Sequence, residues 1–388
     1  MIRIDRPTDC CGCEACAQRC PRQCIAMHAD AEGFLYPRVD TAACIDCGLC
    51  EQVCPVLRPA APRKPAAVYA AKNPDERIRT ESSSGGIFTL LAEETVRAGG
   101  VVFGARFDET WKVVHDSTET IEGLAAFRGS KYVQSRIGNC FARAEEFLKQ
   151  GRQVLFSGTP CQIAGLNRFL RRSYDNLLTV DVVCHGVPSP LVWRRYLDEI
   201  GGGTTVSRIS MRDKSTGWGN YSIRIDANER NLVDEPAARN AYMRGFLADL
   251  YLRPVCHACP AKGGRSGSDL ILGDFWGIRQ VHPHFADDKG VSLLQTYSEQ
   301  GNRRIEALHM ECRAASHEQA LAGNPAIERS IPEPKQRKTF WDSFGAGDTD
   351  LRRTVADITR HMGPSRASRI LTALKSRIKK LLTHANSH

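Results

Sequence analysis

What this 388-residue sequence lacks narrows its class before any motif is read. It has no run of about 18 apolar residues, so no transmembrane helix is expected. The opening segment, MIRIDRPTDC, carries no apolar stretch of the secretory kind, and a reducing cytoplasm is the expected location. No G-x-G-x-x-G follows a strand-like segment, so the Rossmann dinucleotide fingerprint is missing. A net charge of +9 might point to nucleic acid, yet no basic stripe interleaved with aromatics is present. Much of the excess sits in Arg366, Arg369, Lys375, Arg377, Lys379 and Lys380, with no acid from Pro364 onward. That leaves roughly +3 for the rest of the chain.

Cysteine is what the sequence has in plenty: 16 residues, most of them between positions 10 and 54. Without a secretory signal, such a count reads as reduced thiols and metal rather than disulfides. CCGCEACAQRCP places Cys10, Cys13, Cys16 and Cys20 in C-x2-C-x2-C-x3-C-P, and CIDCGLCEQVCP repeats it with Cys44, Cys47, Cys50 and Cys54. This spacing holds two [4Fe–4S] clusters in two-cluster ferredoxins, the fourth cysteine of each run crossing to the other cluster. The expected ligand sets are therefore Cys10, Cys13, Cys16 and Cys54, and Cys44, Cys47, Cys50 and Cys20. Structural zinc commonly uses two separated pairs and fits this pattern poorly. Cys11 and Cys24 are left over as packing thiols.

LRPAAPRKPAA (57–67), with three prolines, is a stiff linker composition. It separates a ferredoxin-like domain (1–56) from a core (68–330), which is followed by a helical, basic tail (331–388). Strand-like and helix-like segments alternate in the core, so the fold class is α/β with mixed α+β character. VLFSGTPCQIAG (154–165) reads as a strand breaking into a helix at Cys161, and VVCHG ends the next strand at Cys184. Strand, single crossover helix and strand run parallel, which brings both cysteines to the carboxyl edge of the sheet. CHACP adds Cys256 and Cys259 as a C-x2-C pair. Together the four make the complement of a third [4Fe–4S] cluster. Zinc, or a Cys161 nucleophile with its pKa lowered by the helix and His185 as base, are the alternatives. A lone nucleophile leaves three cysteines unexplained. His282 and His284, with Asp287 and Asp288 near, read as a polar loop rather than a metal site.

Clusters pass single electrons and most organic substrates take two, so a flavin converter is expected. SSSGGIF (82–88) opens a helix with serine and glycine amides that can cradle phosphate, although an ordinary serine N-cap explains it too. ESSSGGIFTLLAE, RGSKYVQS, VLFSGTPCQIAGL, VVCHGVPSP, CHACP and DLILGDFWG, in that order, resemble the beta-subunit family of coenzyme F420 hydrogenases and dehydrogenases. The likeness covers about residues 5–300. It implies an FAD-binding α/β core fed by clusters, with flavin contacts from Ser83, Ser84, Gly85, Gly86, Gly129, Lys131, Gly158 and Thr159, and Asp274 and Trp276 close by. Lys131 would stabilise negative charge at the flavin N1–C2 edge, and His185 is a candidate proton donor. The third cluster gains support, because its cysteines fall inside matching motifs.

The function expected is a ferredoxin-linked, flavin-dependent oxidoreductase acting on a small substrate. The rival is an electron-transfer subunit of a larger complex with no substrate site of its own. Expected partners are a redox protein, either a ferredoxin or a partner subunit, and a small molecule. The terminal segment RASRILTALKSRIKKLL, with Ile370, Leu374, Ile378 and Leu381 on one face, packs on its own domain or touches an anionic surface or partner.

Overall fold

In the computed structural model, residues 1–228, 230–345 and 350–360 are described. The amphipathic terminal segment expected from the sequence lies outside them. No described helix is long and apolar enough to cross a membrane.

The first 56 residues wrap short elements around their cysteines. Helices α1 (Ala15–Arg19) and α2 (Leu49–Gln52) each follow a cysteine run, and β1 (Ile25–Ala29) pairs antiparallel with β2 (Leu35–Val39) between them. Each run turns on a left-handed residue, Glu14 at φ 60° before α1 and Gly48 at φ 70° before α2. The proline-rich linker forms no helix or strand of its own. Arg63 straps it to the core, its amide donating to the Gly263 carbonyl (3.1 Å) and its guanidinium to the Ser268 carbonyl (2.6 Å).

The core is built on an eight-stranded sheet. Its strands are β3 (Ala67–Lys72), β4 (Val101–Phe107), β5 (Val113–Thr118), β6 (Val154–Gly158) and β7 (Leu177–Val182). A separate antiparallel sheet, β8 (Arg208–Asp213), β9 (Ser222–Ala227) and β10 (Arg230–Pro236), intervenes before the main sheet resumes. The remaining main-sheet strands are β11 (Leu270–Asp274), β12 (Ser292–Thr296) and β13 (Glu311–Ala314), and the order is β13-β3-β12-β11-β7-β6-β4-β5. Strands β4, β6, β7 and β11 run parallel, and the apolar residues that dominate them suit strands covered on both faces. Helices α3 (Glu76–Glu81) and α4 (Ile87–Arg97) follow β3, α5 (Cys140–Lys149) precedes β6, and α6 (Pro160–Leu170) is the single crossover from β6 to β7. Ile87 and Leu91 pack with Leu155, Leu178 and Leu272 on one side of the sheet. On the other, Phe103, Phe141, Phe156 and Ile163 share a core with Cys11, Cys13 and Val53 of the N-terminal domain. That domain is thus packed into the second face of the sheet.

Helices α7 (Pro190–Gly201) and α8 (Ala241–Leu247) share a further core with the small sheet, into which Phe340 and Phe344 of Gln336–Gly345 and Val355 of Leu351–Arg360 also pack. The consequence for function lies in strand direction. Lys72, Asp274, Val182 and Gly158 end β3, β11, β7 and β6 at one edge, and antiparallel β12 begins there at Ser292. This is the edge at which α/β proteins bind ligands.

Candidate functional site

Two cavities divide the N-terminal cysteines. Cys10, Cys13, Cys16 and Cys54 line one of about 310 Å³. Cys20, Cys44, Cys47 and Cys50 line the other, of about 350 Å³. The fourth cysteine of each run therefore faces the cavity of the other run, the exchange that two-cluster spacing requires. Backbone amides already point at the sulfurs: Gly12 N–H at Cys10 Sγ (3.3 Å), Ile2 at Cys50 (3.3 Å) and Asp46 at Cys44 (3.4 Å). Such donors stabilise thiolate charge. Each cavity has the ligand number and chemistry of a cubane, and Cys47 leaves the second one open to solvent.

Cys161, Cys184, Cys256 and Cys259 lie near enough for their charges to act on one another. Thr159 and Gln162 form a capping box that starts α6 and holds Cys161 in its first turn. Cys184 leaves β7 two residues after its end, and Lys262 Nζ donates to its carbonyl at 2.6 Å. A short 3-10 turn, Pro254–Ala258, presents Cys256 and leads into Cys259, whose amide donates to Ser330 Oγ at 2.9 Å. A hydrogen bond to Cys11, with burial, pushes the Cys161 thiol well up, against the lowering expected of a nucleophile at a helix start. Burial raises Cys256 to about 12 and Cys259 to about 11. These thiols keep their protons until a metal displaces them. Among the described residues no three metal-ligating side chains converge as a single bound ion demands.

Cys11 is buried in the core shared by the two parts, close enough to both Cys13 and Cys161 to act on their thiols, so it lies between an N-terminal cavity and the core cysteines. Gly165 of α6 faces the same junction, where an added Cβ would stand 2.8 Å from Cys13 Cβ. Arg253 joins the two sites from below. It is 0% exposed and donates to the carbonyls of Cys10 (2.8 Å) and Leu35 (2.9 Å) and to Gln134 Oε1 (2.9 Å). Its guanidinium lies 4.3 Å from the Tyr36 ring, and no carboxylate pairs with it among the described residues. Gly12, at φ 71°, leaves it room, since a Cβ there would sit 2.7 Å from Nη1.

The serine–glycine loop lies along the same carboxyl edge. Gly86, not a serine, caps α4, with φ 80° and no side-chain bond to the first-turn amides. The sequence's ordinary serine cap is therefore absent, because Ser82, Ser83 and Ser84 are engaged elsewhere. Ser82 donates to the Ile78 carbonyl, Ser83 pairs with Ser130 Oγ (2.8 Å), and Ser84 donates to the Val291 carbonyl (2.9 Å). Gly85 is pressed against the Ala71 carbonyl, where no Cβ would fit. Ser130 ties the loop to Gly129 and Lys131. Lys131 Nζ donates to the Ala126 and Arg128 carbonyls, and burial draws its ammonium down to about 7.

Asp274 accepts both arms of Arg212 (2.8 and 3.2 Å) and the Trp218 indole N–H (2.7 Å), and Arg212 also donates to the Ser83 carbonyl. Trp276 stacks on Trp218 at 4.7 Å and 10°. Gly158 and Thr159 lie one strand beyond β7, beside His115, whose Nε2 is 3.0 Å from the Ser157 carbonyl. His185 stands apart from this group, paired with Asp249 at 2.6 Å and edge-on to Phe246. His282 contacts the Ala314 carbonyl and Asp287 pairs with Lys72 and Arg79, so that stretch is the polar loop expected.

Sequence reasoning missed Arg253, Arg212 and Lys214, whose Nζ caps the Ser84 carbonyl at 3.1 Å. Each is an unremarkable base in its local sequence, and only tertiary contacts give it a role.

Residues 68–140 match the model of the N-terminal part of coenzyme F420 hydrogenase/dehydrogenase beta subunits, and residues 151–318 that of their C terminus. Residues 9–57 match a 4Fe-4S dicluster domain. No curated protein matches the chain. Among solved structures, a chain from the xenon-derivatised F420-reducing [NiFe] hydrogenase complex of Methanosarcina barkeri is 15% identical, covering 70% of this chain and 97% of that one at a TM-score of 0.45. Two family models that together take up most of the core, beside a dicluster domain at the N-terminal end, carry the assignment: the chain belongs to the coenzyme F420 hydrogenase/dehydrogenase beta-subunit family.

Proposed function

We propose that this chain is an iron–sulfur flavoprotein oxidoreductase with [4Fe–4S] clusters at the two N-terminal cavities and at Cys161, Cys184, Cys256 and Cys259, and FAD along the carboxyl edge from the Ser83–Gly86 loop to Asp274. The observation that carries it is the row these sites form: an N-terminal cavity, then Cys11, then Cys161 just past β6 and Cys184 just past β7, then Asp274 at the end of neighbouring β11. When bound, the clusters supply single-electron transfer and FAD converts this to the two-electron chemistry of a small substrate.

The chain's own residues prepare that route. The uncapped first turn of α4 offers amides and a positive helix end to a flavin phosphate. Ser83, Ser84, Gly129, Gly158 and Thr159 provide hydroxyls and close backbone approach. The Arg212–Asp274 pair and the stacked Trp218 and Trp276 form a rigid wall. Lys131, whose ammonium burial draws down to about 7, offsets negative charge on the flavin N1–C2 edge.

Exposed Ile45 next to open Cys47 favours a second reading, in which the chain only relays electrons to a partner subunit docked there. Cys161→Ser and Cys259→Ser test the main proposal. Each is expected to lose about four of roughly twelve irons while keeping the N-terminal pair. Full iron retention with loss of activity would return Cys161 to the role of a nucleophile.

A further inference from the structure

A groove of about 680 Å³ opens where the N-terminal domain, the linker, α6 and the chain after Cys259 meet. Arg58, Arg168, Arg171 and Arg265 all line it, and none of its lining residues is acidic. Arg265 donates to the Lys262 carbonyl at 3.2 Å, whereas the other three side chains make no ion pair among the described residues. Four like charges around one concavity repel each other and focus a field of one sign, a cost that a bound anion removes. Arg171 is also the left-handed C-cap of α6, at φ 59°. Glycine or asparagine suits that conformation better, so the local backbone does not explain an arginine there.

The groove's floor gives it a redox meaning. Pro55 directly follows Cys54 and Pro260 directly follows Cys259, and Ala164 lies one helical turn beyond Cys161. All three touch the groove, so whatever sits in it covers an N-terminal cavity and the core cysteine site together. The groove's volume is within the range of small-ligand pockets, so its position across both cysteine sites, and not its size, points to a protein partner. The chain's own C-terminal sequence, basic and without acids from Pro364 on, does not complement its charge.

We infer that this arginine groove is the docking site for the acidic face of a one-electron carrier protein. The inference rests on the iron–sulfur reading proposed above. In each encounter one electron crosses between carrier and chain, one partner being oxidised and the other reduced, with no bond formed or broken.

The probe is a small acidic [4Fe–4S] ferredoxin, photoreduced and mixed anaerobically with the full-length holoprotein while cluster bleaching is followed by stopped flow. Methyl viologen radical serves as the small-molecule control. Arg168→Glu with Arg171→Glu is expected to lower the second-order rate with ferredoxin at least about tenfold and to remove its fall between about 50 and 500 mM salt. Methyl viologen reduction is expected not to slow. Arg58→Glu, on the exposed linker, gives the same loss if the helix pair disturbs iron content. A wild-type ferredoxin rate in iron-replete variants overturns the inference. So does tight binding of inorganic pyrophosphate in the groove with no effect on the ferredoxin rate, which marks a small-anion site. A wild-type chain that methyl viologen cannot reduce refutes the iron–sulfur reading itself, a distinct result.

Discussion

Replacing Arg253 by Gln tests how the N-terminal cysteine cavity and the core cysteines are joined. The guanidinium is fully buried, held by three hydrogen bonds of 2.8–2.9 Å and unpaired by any carboxylate among the described residues. An isolated buried cation costs several kcal/mol, so a balancing anion must lie close. The groups whose charge reaches it are Cys10, Tyr36, Cys11 and Cys256, with cysteines of both sites among them. Two unit charges about 8 Å apart at an effective dielectric constant of about 20 attract by about 2 kcal/mol. For a one-electron couple, where tenfold is about 59 mV, this amounts to roughly 90 mV. Arg253→Gln should therefore lower the midpoint potentials of both neighbouring clusters by roughly that amount, because reduction adds a negative charge that the cation no longer offsets. Arg253→Lys keeps the charge and should shift them far less. Gln134→Glu neutralises Arg253 without removing it, and is expected to act like Arg253→Gln. The assay is an anaerobic potentiometric titration followed by electron paramagnetic resonance, with iron counted in each sample. Unmoved potentials in iron-replete Arg253→Gln and Gln134→Glu would refute the shared counter-ion.

Other consequences follow from single contacts. Gly165→Ala ordinarily gains up to about 1 kcal/mol in a helix, but its Cβ meets Cys13 Cβ at 2.8 Å, and overpacking of about 1–3 kcal/mol should dominate. Limited proteolysis should then release the N-terminal domain faster, and unchanged resistance would show that the junction yields. Burial raises the Asp181 carboxyl to about 7, with Ser266 and Ser268 facing it. From about pH 4 to pH 7 the folded chain keeps a proton that the unfolded chain has lost, so stability falls as pH rises through that window. The advantage of Asp181→Asn should widen by about 1 kcal/mol between pH 6 and pH 8 in thermal unfolding, and a constant gap would count against a buried acid. Lys131→Met should weaken FAD retention on gel filtration and make the bound flavin harder to reduce, whereas a surface role would change neither.

Much of this architecture was legible in the sequence because short-range chemistry dictates it. Three cysteines within seven residues before Cys-Pro leave few geometries, and the two cavities follow from that spacing. The strand, single crossover helix and strand over 154–182 imply parallel neighbours, which carries Cys161 and Cys184 to one edge. Long-range placement was not legible. Nothing near Cys11 signals that its thiol reaches Cys161, 150 residues on, and Arg253 acquires its role from Cys10, Leu35 and Gln134, all distant in sequence. The serine cap was misread for a local reason: three adjacent serines look like capping residues, yet tertiary partners draw all three away and leave Gly86 at the helix start.

The central claim is a chain of clusters ending on a flavin, and a cofactor count on anaerobically purified protein tests it most directly. Iron, acid-labile sulfide and released flavin are measured per chain. Three cubanes feeding FAD predict roughly twelve iron, twelve sulfide and one flavin. About eight iron and no flavin, under conditions that retain cofactors, would contradict the account and leave the four core cysteines as thiols.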